Sequence, residues 1–145
     1  MSETVKNRDA REKFSQVQWH DSKLLDLQLV KHADRKQYDL KLDLDLSIGF
    51  SQGRTERSTK SALFEGCRII QADLDLLGVL MCDGAIASAI CYEDAVDLER
   101  KMRDKVEQFD FPESYNPLEQ CLGFLIEMIN PGGEIVVFAR DFHLK

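Results

Sequence analysis

The chain has 145 residues, 43% hydrophobic and 31% charged, a length and balance that suit one packed domain and exclude wholesale disorder. Its 26 acidic residues outnumber 19 basic ones for a net charge of −7, which argues against nucleic acid as a partner and leaves a basic protein surface as the charge-matched alternative. No apolar run approaches the ~18 residues of a membrane-crossing helix, and the polar opening Met1 to Lys13 has no secretory h-region, so the expected location is the cytoplasm, with no membrane partner.

Residues 1–17 mix charges of both signs with Val5, Phe14 and Val17 and read as a frayed helix or a trailing segment. Leu25, Leu27 and Leu29 then alternate with Asp26 and Gln28, the period of a half-buried strand over 23–31. After a polar turn at 32–37, Tyr38, Leu40, Leu42, Leu44, Leu46 and Ile48 alternate with Asp39, Lys41, Asp43, Asp45 and Ser47. One face of this strand belongs to a core and the other to water, and the pair forms an antiparallel hairpin. Gly49 to Ser61, rich in hydroxyls and basic residues, reads as a long mobile loop.

Strand pattern resumes from Ala62, breaks at Gly66 and continues through Ile70, Ala72, Leu74 and Leu76. Leu77 to Cys82 fits a helical turn or more strand, and Ala85 to Tyr92 is a strand covered on both faces. Glu93 to Phe109 carries Val96, Leu98, Met102, Val106 and Phe109 near helical spacing, with acidic residues in its first turns. Pro112 and Pro117 end it. The carboxyl end reads as a hairpin: Leu118 to Ile129, a turn over Asn130 to Gly133, then Glu134 to Leu144, whose run Ile135 to Ala139 implies cover on both faces. The expected fold class is α+β, a meandering antiparallel sheet of about six or seven strands with one main helix packed on a face.

Cys67, Cys82, Cys91 and Cys121 form no Cys-x-x-Cys pair and read as free thiols packed in the core. No metal-ligand spacing, phosphate loop or nucleophile elbow is present, so neither metal nor cofactor is expected. Two constellations stand out. His20 with Asp21, and Asp141 with His143, would form one acid–base site if the first and last strands met. The row Asp39, Asp43 and Asp45, extended by Asp26, Asp73 and Asp75, would present an acidic sheet face. Each also has a plainer reading, as turn chemistry or as a solvated face.

The opening Trp19-His20-Asp21-Ser22, and the closing Pro131-Gly132-Gly133-Glu134-Ile135 leading to Ala139-Arg140-Asp141-Phe142, resemble small bacterial domains. One branch of these comprises immunity proteins against polymorphic toxins. The resemblance covers the two terminal hairpins and implies a cytoplasmic antiparallel-sheet domain that binds a toxin, with no catalytic residues to transfer. The expected function is therefore a non-enzymatic module binding a basic protein through Asp39, Asp43, Asp45, Trp19, His20, Asp21, Asp141 and His143. The alternatives are a small enzyme built on the His/Asp residues, and a homo-oligomer finished by its apolar strands.

Overall fold

The computed structural model describes residues 5–31, 37–81, 84–92, 121–129 and 132–145. Helix α1 (Val5–Gln16) leads into β1 (Lys23–Lys31), β2 (Tyr38–Ser51), β3 (Arg54–Cys67) and β4 (Ile69–Leu74). A short α2 (Leu76–Met81), β5 (Ile86–Tyr92), β6 (Leu122–Met128), β7 (Gly133–Ala139) and β8 (Asp141–Leu144) complete the order. Among these residues the architecture is sheet-dominated and antiparallel throughout, but the expected single meander is two four-stranded sheets, β1-β2-β3-β8 and β4-β7-β6-β5. The expected helix over Glu93 to Phe109 lies outside the described residues.

The split has a local cause. The chain passes from β3 to β4 and from β7 to β8 through one residue each, Arg68 and Arg140, and so changes sheets twice. The bends lie side by side: the Arg68 N–H donates to Phe138 O at 2.8 Å and the Arg140 N–H to Glu65 O at 2.9 Å. Corners of this kind are how strands of one long ladder serve two packed sheets. Gly66, at φ 64°, supplies the left-handed residue the first bend needs.

A second seam joins the start of β1 to the start of β5. Leu24 N donates to Gly84 O and Ile86 N to Ser22 O, both at 2.8 Å. A Cβ on Gly84 would lie 2.5 Å from Leu24 O, so only glycine allows the strands this close. Ser22, fully buried, donates its hydroxyl to Gln18 O at 2.6 Å and accepts the Ser47 N–H at 3.0 Å, tying α1's exit to β2.

Leu40, Leu42, Leu44, Leu46, Ala62, Phe64 and Phe142 fill the core from one sheet, and Ile86, Phe124, Ile126, Ile135 and Val137 from the other. Residues 5–16 do not trail: Ala10 and Phe14, four apart and so on one helical face, are buried. Phe14 lies between the layers, its ring centroid 4.7 Å from Trp19, 4.9 Å from Phe124 and 5.2 Å from Phe142. On the opposite face of the second sheet, Leu125, Val136 and Phe138 are buried too, the double cover that the run Ile135 to Ala139 predicts.

The expected loop over Gly49 to Ser61 is instead the tip of a long β2–β3 ribbon, paired from Tyr38–Cys67 to Ser51–Arg54. Its turn is Gln52-Gly53, both with positive φ, the geometry whose twist matches that of the flanking strands.

Phe14→Ala should lower unfolding free energy by ~3–5 kcal/mol, because it removes a ring bridging both layers. Denaturant titration checks this, and a loss below ~1 kcal/mol would place α1 outside the cooperative core.

Candidate functional site

The structure divides the expected site residues among three environments. Trp19 belongs to the core: it is buried, and its indole N–H donates to Phe14 O at 3.0 Å, so it offers no face to a partner. His20 and Asp21 are exposed beside β5. His20 Nδ1 stands 2.9 Å from Ala87 O, and since a carbonyl only accepts, Nδ1 carries the proton in that contact. Asp21 occupies the left-handed region at φ 65°, the turn role that Asp tolerates best. A groove of about 480 Å³ adjoins His20, between Val17 and Ser15 of the α1 end and Ser88 and Ile90 of β5.

Asp141 and His143 point the same way from β8, as their spacing requires, but their neighbour is Glu65 of β3. His143 Nε2 lies 3.2 Å from Asp141 Oδ2 and 3.4 Å from Glu65 Oε1. On the other side of the ring, Lys13 Nζ of α1 lies 3.5 Å from Nδ1. An ammonium only donates, so this arrangement puts the imidazole proton on Nε2, toward the carboxylates. The Phe142 N–H donates to Asp141 Oδ1 at 2.9 Å and fixes that carboxylate on the strand. Glu65, Asp141 and His143 hold three potential ligand atoms within 4.8 Å of one another, a group that includes neither His20 nor Asp21. The four-residue His/Asp site is therefore not assembled: one pair lies beside β5 and the other on β8, in different sheets.

The acidic row is likewise taken apart. Asp39 is buried and accepts the Gly66 N–H at 3.0 Å and the Gln37 amide at 3.3 Å, so it holds the corner rather than facing water. Asp43 accepts the Ser61 hydroxyl at 2.7 Å, and Asp45 pairs with Arg57 at 2.9 Å. Asp26 stands opposite Asp43, but Asp73 lies in the other sheet, opposite Glu134, which in turn faces Glu127. Asp75 accepts the Gly78 N–H at 3.0 Å at the start of α2.

A feature that hydropathy alternation does not single out lies along β1 and β4. Both are end strands of their sheets. Leu29 of β1 and Ile70 of β4, with Tyr38, Cys67 and Arg68, line one groove of about 250 Å³. Leu27, Ile70 and Leu74 sit half-buried against the core. Leu25, Leu29, Tyr38, Leu76, Leu77 and Met81 are exposed, six of the ten large apolar side chains exposed among the described residues. They fall on β1, the start of β2 and α2, so exposure is concentrated rather than scattered. Asp26, Asp73, Asp75 and Glu134 lie on these strands, at the start of α2 or on the adjacent β7, and no ion pair holds any of them among the described residues.

Cys67, Cys91 and Cys121 are in no disulfide, and Cys82 lies outside the described residues. Burial pushes the Cys67 thiol from 9.0 up to about 12 and that of Cys121 up to about 11, because a thiolate would lose its hydration.

Comparisons with family models, with curated proteins and with solved structures gave no match.

Two outcomes follow. Asp39→Ala should cost ~1–3 kcal/mol by stranding a buried N–H, whereas Asp45→Ala, a partly exposed pair, should cost under ~1 kcal/mol; equal losses in chemical denaturation would contradict this. The raised thiols keep their full contribution to stability below pH 9.0, the unfolded value, and lose it as pH climbs toward about 11 and 12. Alkylation at pH 8, mapped by mass spectrometry, should leave Cys67 and Cys121 unmodified in the folded chain and label both on unfolding. Labelling at the unfolded-chain rate would show the sites open.

Proposed function

We propose that this chain is a non-enzymatic protein-binding module whose recognition surface is the open margin formed by β1, β4 and α2. The observation that carries the reading is the concentration of exposed leucine, tyrosine and methionine on those elements. Contiguous exposed apolar side chains with a polar rim are what interfaces use, and isolated ones are not. End strands add a second means of recognition, since an extended segment can hydrogen-bond to an uncovered backbone edge while its alternate side chains enter the groove.

The partner this margin fits is a basic protein offering an extended, apolar segment. Asp26 on β1, Asp73 on β4, Asp75 before α2 and Glu134, opposite Asp73 on β7, put carboxylates around the apolar strip. The net charge of −7 adds long-range attraction for a cation-rich partner. The terminal motifs' likeness to immunity proteins supports the same class of role, with a cytoplasmic toxin as the partner. Asp39, Asp43 and Asp45, engaged by their own neighbours, are not the surface proposed.

Affinity capture with paired variants tests this. Wild-type chain should retain a basic protein in stoichiometric amount, released as salt rises. Leu77→Asp with Met81→Asp should weaken retention about tenfold or more, and Asp26→Lys should lower retention and flatten its dependence on salt, while Asp43→Asn with Asp45→Asn leaves it unchanged. Equal retention by wild type and the Leu77/Met81 variant, or retention of nothing but further copies of the chain, would overturn the reading.

A further inference from the structure

We infer that Glu65, Asp141 and His143 form a binding site for a single first-row divalent metal ion, with zinc as the fitting occupant. The inference is independent of the protein-binding margin, since the three residues lie on β3 and β8.

The backbone sets the site. Glu65 and Asp141 are direct partners across the β3–β8 ladder, and His143 is two residues along the same strand, so all three project from one sheet face. Asp141 is buried and the other two are half-buried. Two carboxylates directly opposite one another repel, and His143 Nε2 lies 3.2 Å from the Asp141 oxygen and 3.4 Å from the Glu65 oxygen.

Those separations also match a metal's coordination shell. Ligands bound tetrahedrally at about 2.0–2.1 Å stand about 3.3 Å apart along each edge of the tetrahedron. The imidazole nitrogen thus stands at about the tetrahedral edge distance from each carboxylate oxygen, and the three atoms lie within 4.8 Å of one another. One imidazole nitrogen and two carboxylate oxygens suit zinc and its first-row neighbours, whereas calcium and magnesium call for all-oxygen shells of six or more ligands. The charges close as well: two carboxylates and a neutral imidazole balance a divalent ion. The Phe142 N–H on Asp141 Oδ1 leaves Oδ2 aimed at the site, the outer-shell support that ligating carboxylates commonly have.

Lys13 Nζ, from the exposed side of α1, lies 3.5 Å from Nδ1, the ring nitrogen that an ion at Nε2 would leave uncoordinated. The fourth coordination position is left to water, beside the groove of about 470 Å³ that Lys13, Gln16, His143 and Lys145 border.

Titration of the full chain with zinc alone, against a chromophoric chelator, tests the inference. Wild type should bind one equivalent. His143→Gln and Glu65→Gln should each weaken binding by about tenfold or more, and His20→Gln should leave it unchanged. Cobalt substituted for zinc should give visible d–d bands without a thiolate charge-transfer band, which separates this site from the cysteines. His143 and Glu65 are only half-buried, on the sheet face away from the core, so the variants should keep the wild-type circular dichroism; should one fail to fold, the other decides. Absence of binding, binding indifferent to both substitutions, or a thiolate band would overturn it.

Discussion

Phe14 is the contact on which the two layers depend. Its ring meets Phe124 of one sheet and Phe142 of the other, with Trp19 tilted beside it, so one side chain from α1 joins the aromatic cluster through which Phe64 and Phe124 also meet across the layers. Small antiparallel sheets need such a filler, because a two-layer core about 10 Å thick leaves voids wherever opposing side chains are short. The buried Ser22 then fixes the exit of α1: its hydroxyl bonds both Gln18 and Ser47, and the chain enters β1 at the point where Gly84 lets β5 approach. Helix, corner and seam are thus one connected constraint.

Those two seams close two sides of the sheet pair among the described residues. The corner at Arg68 and Arg140 and the seam at Leu24 and Gly84 satisfy the backbone there, while β1 past Leu24 and β4 remain end strands. A rigid, well-filled core next to a leucine-lined edge is the arrangement that favours binding by strand addition, since the recognition surface is already formed when the partner arrives. The carboxylate–histidine cluster occupies the other side of the first sheet, so the two proposed sites load different elements.

Much of the sheet was legible in the sequence because burial there is one-sided. The leucines of Tyr38 to Ile48 alternate with polar residues, and that strand forms with Leu40, Leu42, Leu44 and Leu46 inward. Strand 23–31 appears with the predicted bounds. The ribbon tip was misread as a loop because Arg54, Glu56, Ser58 and Lys60 extend past the core, where neither face of a strand need be apolar. Residues 1–17 read equally as a frayed helix or a trailing segment because, within Val5–Gln16, only Ala10 and Phe14 mark a buried face. The site residues were harder still. Asp141 and His143 were visible as a pair, but Glu65 joins them through the β3–β8 ladder, and strand order cannot be read from periodicity. Asp39 looked like part of a surface row until the corner at Gly66 placed a backbone N–H within its reach.

Binding is proposed to happen at the margin of β1, β4 and α2. Amide hydrogen exchange of the chain alone and in complex with the protein it retains addresses that claim directly, because added backbone pairing slows exchange at the amides involved. The account predicts new protection confined to residues 25–31 and 69–81, with the outer face of β2 and β3 unchanged. Protection that appears instead around Asp43, Asp45 and Ser61, with β1 and β4 exchanging as in the free chain, would contradict it.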